Sequence, residues 1–111
     1  MVEAALKAIA DPRRQDILVL VHENELSAGD IASRFDITRP AISQHLRVLV
    51  DTGLVSMRRD GTRRLYKARP EGLEEIRAFL DQFWGRSLDL LKKAAEQEQQ
   101  GESDEHTDHS G

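Results

Sequence analysis

The sequence predicts a mainly α fold with a small β-hairpin, in the order α-α-α-α-β-β-α. Three observations predict it. Apolar residues recur at helical spacing through the first half of the chain, two β-prone segments flank Asp60-Gly61-Thr62, and Pro70 opens a long final helix. A chain of 111 residues has room for one domain with a modest core, extended by an oligomer interface.

Two helices are predicted before residue 24. The first covers Val2 to Ala10 and carries Leu6 and Ile9 on its apolar side. Asp11 can cap the second helix, and the proline that follows suits a first helical position because it has no N–H to satisfy. The second helix is predicted to run to about Glu23.

The next two helices are predicted to form a helix-turn-helix. Ser27 to Asp30 has the spacing of a capping box, with Asp in the return position. Thr38 can cap the fourth helix, and Gly53 can end it with positive φ. The turn of three or four residues between these helices suits the motif, and we expect Asp36 to take the left-handed conformation there.

The fourth predicted helix has an apolar face and a hydrogen-bonding face. Ile42, Leu46 and Leu49 share the first at about 100° per residue. Gln can form paired hydrogen bonds with adenine and Arg with guanine, and Ser can bind a base or a phosphate. We therefore predict contacts with DNA bases and phosphates, whereas a solvated face of chance composition is the alternative. The predicted contact residues are Arg39, Pro40, Ser43, Gln44 and Arg47.

The predicted hairpin carries four arginines around its tip, Arg58, Arg59, Arg63 and Arg64. Charges on an exposed edge can simply prevent pairing with other chains. Mixed charges would serve that purpose equally well, but these four are all positive. A cationic loop beside a base-reading helix can reach phosphates or the minor groove, so we predict that all four bind DNA.

The final predicted helix has more apolar positions than one face can hold. A terminal helix in so small a domain needs one face for its own core, and a second face rich in Phe, Trp and Leu needs another surface. The simplest supplier is an identical chain. The predicted dimer contacts on this helix are Leu80, Phe83, Trp84, Leu88 and Leu91.

Charge and composition divide the chain and exclude several function classes. Eight Arg and Lys oppose two carboxylates between residues 38 and 69, whereas four oppose eleven between 70 and 111. We predict a domain over residues 1–95 and a disordered acidic tail over residues 96–111, which contains no large apolar side chain. No apolar run is long enough to span a membrane and no signal peptide is recognisable, so we expect a soluble, cytoplasmic chain without membrane contact.

No catalytic or cofactor-binding pattern occurs in the sequence. There are no cysteines, no Gly-rich phosphate loop, and no serine with a nearby His and carboxylate. His22 is expected to face solvent, and His45 to pack between the fourth and last helices. His106 and His109 could chelate a metal weakly, but a solvated tail is the favoured interpretation. We predict no enzymatic activity, no cofactor and no metal site.

These segments resemble the ArsR/SmtB family of bacterial winged helix-turn-helix regulators. The similar segments are residues 10–18, Thr38 to Leu49, residues 53–56 and residues 59–66, and together they span roughly residues 4 to 92. The resemblance implies a homodimer built from the first and last helices, to which Leu6 and Ile9 would contribute. It also implies binding to a partly palindromic operator in double-stranded DNA, usually with repression of transcription.

The resemblance raises the question of metal sensing. In the founding arsenic and cadmium sensors a Cys-x-Cys pair opens the third helix, and the matching Ser27 and Gly29 cannot form that thiolate site. Zinc, nickel and cobalt members use Asp and His on the last helix, but this chain has no histidine between Pro70 and Glu98. The family also links the position of His45 to communication between effector site and DNA. Two alternatives stay open: a metal- or ligand-responsive sensor of the same fold, and a winged helix used for protein–protein interaction.

Overall fold

Helices and a small antiparallel sheet form the chain. The structure, a computed structural model, describes the backbone of residues 2–101 and the side chains of residues 2–98. The elements are α1 (Val2–Ile9), α2 (Pro12–Glu23), β1 (Leu26–Ser27), α3 (Ala28–Ala32), α4 (Arg39–Asp51), β2 (Val55–Asp60), β3 (Arg63–Ala68) and α5 (Pro70–Gly101). They fall into two units, one up to Arg77 and one from Ala78 on, and α5 runs through both.

The predicted winged helix-turn-helix order is confirmed, with one strand added. β1 joins the hairpin to make a three-stranded antiparallel sheet of order β1-β3-β2. Its two residues pair as Leu26 with Tyr66 and Ser27 with Leu65. We missed β1 because two residues are too few to show the alternation that identifies a strand. The wing, defined here as β2, β3 and the turn between them, is therefore attached to the segment before α3.

The predicted helix caps are confirmed. The Asp11 carboxylate accepts the backbone N–H of Arg13 at 2.8 Å. Ser27 and Asp30 form the reciprocal capping box of α3, and Thr38 caps α4. The prediction for Asp36 is wrong, because no residue other than glycine among those described has positive φ. The turn between α3 and α4 therefore needs no left-handed residue.

The wing turn is one residue shorter than the predicted connection Asp60-Gly61-Thr62. Asp60 pairs with Arg63, so the turn consists of Gly61 and Thr62. Gly61 has φ of 68° and Thr62 does not have positive φ. One positive φ, at the first central position, is the requirement of a type II′ turn, which glycine meets without strain. Asp60 is thus the last residue of β2.

The first unit has a closed apolar core. The fully buried large side chains are Ile17, Val21, Ile31, Ile42, Leu46, Leu49, Leu54 and Val55. α5 approaches the end of α4 so closely that a Cβ at Gly72 would overlap the carbonyl oxygen of Gly53. The Arg69 guanidinium donates to that same oxygen at 2.6 Å. The start of α5 is thereby fixed against the α4–β2 connection.

The described part of the second unit is the remainder of α5. Its Phe83 ring stacks on Phe79 with centroids 6.3 Å apart and meets Trp84 edge-on at 5.4 Å. The helix continues to Gly101, past the predicted boundary at residue 95, and the Ala, Glu and Gln of this stretch are good helix formers. The rest of the predicted tail, with His106 and His109, lies outside the described residues.

Candidate nucleic-acid interface

The hydrogen-bonding face of α4 is exposed. Arg39, Pro40, Ser43, Gln44 and Arg47 all face solvent, whereas the opposite side of the helix lies in the core. The Thr38 cap and the helical period together produce this division, because they fix which side chains turn inward. Among the described side chains, Arg47 forms one ion pair, with Asp51 at 4.0 Å, and both side chains are mostly exposed. The predicted contact residues of α4 are therefore available to a partner.

An open groove lies between α4, the start of α3 and the wing. It has a volume of about 700 Å³ and is lined by Arg39 and Ser43 of α4 and by Arg63, Arg64 and Tyr66 of β3. Asp30 also lines the groove and binds Arg63, so three guanidinium groups face one carboxylate and the net positive charge suits a phosphate. The structure thus brings together residues of α4 and of the wing that sequence reasoning had assigned separately.

The strand register divides the four wing arginines between two faces. Arg59 stands directly opposite Arg64, on the face that carries Met57 and Tyr66. That face borders α4, because Met57, Arg64 and Tyr66 line a second groove together with Ser43 and Arg47. Two like charges directly opposite each other destabilise a strand pair. An anion bound between them would remove this repulsion.

Arg58 and Arg63 lie on the other face of the wing and form ion pairs. Arg58 binds Glu25 through two hydrogen bonds, of 2.7 and 2.9 Å, and Arg63 Nη2 lies 3.1 Å from Asp30 Oδ2. Hydrogen bonding from Arg58 lowers the pKa of Glu25, and the same contact raises the pKa of Arg58. Sequence reasoning missed both pairs because each joins residues 33 positions apart, which leaves no local signal.

His45 lies beside α2 and not, as predicted, between α4 and the last helix. It is half-buried, and its Nδ1 lies 3.2 Å from Nη1 of Arg14. The Nε of Arg14 donates to the carbonyl oxygen of Ala8 at 2.8 Å. The Arg14 side chain therefore connects the end of α1 to α4. The periodicity of α4 placed His45 at the edge of the core but could not identify its partner.

Metal-ligating groups do not gather in the part of the chain that the structure describes, where no three His, Cys, Asp or Glu side chains stand close enough to hold an ion. The Ser27 hydroxyl, at the position of a metal-binding cysteine in the founding sensors, accepts the N–H of Asp30 at 3.1 Å as a helix cap. His22 is exposed, as expected.

The residues predicted to form the dimer occur in both units. In α1, Leu6 and Ile9 are half-buried, and the core contacts of this helix come instead from Ala5 and Ala8. In α5, Leu80 is half-buried, while Phe83, Trp84, Leu88 and Leu91 are exposed. No helix within residues 2–101 is long and apolar enough to cross a membrane.

Known proteins are similar to this chain in sequence and in fold. Residues 11–57 match the family described as bacterial regulatory protein, arsR family. The chain is 42% identical over 86 residues to the HTH-type transcriptional regulator Rv2034 of Mycobacterium tuberculosis, covering 78% of this chain and 80% of that protein. It is 38% identical over 76 residues to the arsenical resistance operon repressor of Staphylococcus xylosus, covering 68% and 73%. A crystal structure of a possible transcriptional regulator for arsenical resistance matches with a TM-score of 0.67 and 42% identity, covering 80% and 93%.

Proposed function

This chain belongs to the ArsR family of bacterial regulatory proteins, and we propose that it is a homodimeric, sequence-specific repressor that binds a partly palindromic operator. Members of the family are DNA-binding transcription regulators and not enzymes. One observation carries the finer proposal: the exposed polar face of α4 borders the same open groove as the wing arginines.

In this proposal α4 enters the major groove. Gln44 and Arg47 form hydrogen bonds with base edges, and Ser43 binds a base or a phosphate. Arg39 and Pro40 lie in the first turn of α4, where the guanidinium of Arg39 reaches a backbone phosphate from the wall of the groove. Phosphate contacts fix the position of the protein on the duplex, and base contacts supply the sequence preference.

The wing is proposed to bind the phosphate backbone or the adjacent minor groove. Arg59 and Arg64 serve this role best, because they share the face that borders α4 and form no ion pair within residues 2–98. Arg63 can contribute from the wall of the groove. Arg58 is exposed but is engaged by Glu25, so we expect its direct contribution to be the smallest of the four.

The homodimer is proposed from the apolar side chains that α5 exposes. Phe83, Trp84, Leu88 and Leu91 present more aromatic and aliphatic surface than an isolated helix can cover. A second copy supplies the same residues with two-fold symmetry. Leu6 and Ile9 of α1 are half-buried and are proposed to add to the interface. Two α4 helices related by a two-fold axis would contact two inverted half-sites, which is why the operator is proposed to be partly palindromic.

Repression is proposed because the relatives include an operon repressor. A dimer bound to an operator prevents the transcription machinery from occupying the same DNA. A regulator of this kind acts on the chromosome, so we place this one in the bacterial cytoplasm.

The direct test is a footprint on the DNA upstream of its own gene, together with selection from a random duplex library. The wild-type protein is expected to protect two half-sites about ten base pairs apart, or a multiple of this. Gln44→Ala should cost about 1–3 kcal/mol on the selected duplex and almost nothing on a scrambled one. Gln97→Ala, an exposed glutamine near the end of α5, is the matched control. If no duplex shows salt-sensitive binding, the proposal is wrong and the protein-interaction alternative gains support.

A further inference from the structure

The outer part of the wing has little support from the sheet. β1 pairs only with Leu65 and Tyr66, so the strand residues nearer the turn are held by the β2–β3 ladder alone. A two-stranded ribbon is marginally stable in water. Arg59 and Arg64, the two proposed DNA contacts, lie in this unsupported part. Something else must fix their distance from α4 if they are to bind the duplex at the same time as that helix.

Two carboxylates bind arginines of the wing, one beside the end of β1 and one next to the turn. Glu25 precedes β1 and binds Arg58, which stands opposite Leu65, beside the end of β1. Asp30, which also caps α3, binds Arg63 next to the turn. The Glu25 pair has the two parallel hydrogen bonds that give an arginine–carboxylate contact a defined geometry. The Glu25 side chain is only 28% exposed, so it is held in place.

We propose that Glu25 is a positioning residue for DNA binding: by holding Arg58, it fixes the wing so that Arg59 and Arg64 reach the duplex together with α4. This inference rests on the proposed function. Arg58 lies on the face of the wing away from Arg59 and Arg64. Glu25 can therefore hold the wing from one face while the other face binds DNA. Asp30 and Arg63 provide a second anchor near the tip.

Positioning and simple electrostatics predict opposite effects when Glu25 loses its charge. A carboxylate near DNA repels phosphates, so removing it should strengthen binding to every duplex if its charge alone matters. If it holds the wing, removing it should weaken binding where the wing and α4 must act together. The ratio of affinity for the selected duplex to affinity for a scrambled duplex of equal length removes the shared electrostatic part.

The first experiment measures this ratio by fluorescence anisotropy for Glu25→Gln and for Glu23→Gln. Glu23 is exposed, lies two residues away and forms no ion pair within the described side chains. Its substitution therefore removes the same charge without breaking an ion pair to the wing. Glu25→Gln is expected to lower the ratio about two- to fivefold, the range of a well-formed exposed ion pair. Glu23→Gln should leave it unchanged. Equal ratios for the two variants overturn the proposal.

The second experiment reverses the pair. Glu25→Arg and Arg58→Glu should each lower the ratio, because each places two like charges in contact. The double variant rebuilds the pair without changing the net charge and should return the ratio to within about twofold of the wild type. If the ratio for the double variant stays as low as that for Arg58→Glu alone, Arg58 contacts DNA directly and the positioning role of Glu25 is wrong. If the wild type itself prefers no duplex, the proposed function fails first, and this inference fails with it.

Discussion

The two units of the chain differ in how far their apolar side chains are buried. Up to Arg77, the large side chains of the core are completely buried, and Ile17, Ile42 and Leu46 have no exposed surface. From Ala78 on, the described apolar side chains of α5 are half-buried or exposed, and Trp84 is 55% exposed. A single helix cannot enclose its own apolar side chains, whereas helices packed on a sheet can. The first unit therefore has its own source of stability, and the exposed apolar side chains of the second are the basis of the proposed dimer.

The largest expected effect is in the core of the first unit. Ile17→Ala should lower the free energy of unfolding by about 2–5 kcal/mol, because the side chain is fully buried and its removal leaves a cavity. Val19→Ala, two residues away on the same helix and 63% exposed, is the control and should change it by less than about 0.5 kcal/mol. Denaturant unfolding followed by circular dichroism measures both. Similar losses for the two variants would mean that this core is not closed.

The next largest effect is expected at Trp84 of the second unit. Trp84→Ala should weaken the proposed dimer by about 2 kcal/mol or more, as expected of a central aromatic anchor. Sedimentation equilibrium measures the dissociation constant. Asp89→Ala, an exposed residue on the opposite side of α5, is the control and should leave it unchanged. A wild-type protein that stays monomeric at high concentration would contradict the proposed dimer and show that α5 can leave these apolar side chains exposed.

Two glycines of α5, one in each unit, compare the units directly. Gly72→Ala should destabilise the protein by about 1–3 kcal/mol, because its Cβ meets the Gly53 backbone, which cannot move without strain. Gly85→Ala should stabilise it by up to about 1 kcal/mol, since nothing lies within 4 Å and alanine favours the helix. Thermal unfolding of both variants distinguishes them. Effects of the same sign would show that the close approach at Gly72 is absent in solution.

The smallest effect is expected from pH. Arg58 lowers the pKa of Glu25, and hydrogen bonds from Ser27, followed by the charge of Arg63, lower that of Asp30. A carboxyl with a lowered pKa in the folded state adds stability that is complete above its unfolded pKa and is lost as the pH falls through its folded pKa. The melting temperature should therefore fall in that acidic range. The melting temperature of Glu25→Gln should fall less steeply with pH. An equally steep fall would mean that this ion pair adds nothing to stability.

Local patterns predicted the helices and their ends well. The caps at Asp11, Ser27 and Thr38 and the stop at Gly53 depend on residues within four positions of each other, so the sequence contains the whole interaction. The face of α4 that carries Gln44 followed in the same way from the helical period. The extent of α5 to Gly101 had no apolar signal in the sequence, because polar helix formers continue a helix without one.

The candidate site could be predicted only in part. The sequence supplied four wing arginines but treated them as equivalent, whereas the strand register places Arg59 and Arg64 on one face and Arg58 and Arg63 on the other. The carboxylate partners of the second pair are 33 residues away, and β1 is also distant in sequence from the residues of β3 with which it pairs. His45 was likewise given the wrong neighbour, because its contact with Arg14 depends on how α2 packs on α4.

The sequence by itself determined which segments are helical, where they are capped, which face of α4 is polar and that positive charge gathers in the middle of the chain. These properties arise from interactions within a few residues, so they can be predicted from composition and from the spacing of apolar residues. Only the tertiary structure decided which wing arginines are held by carboxylates and which form no ion pair within the described side chains. That choice depends on distances between segments far apart in the chain, and packing sets such distances without leaving a pattern in the sequence.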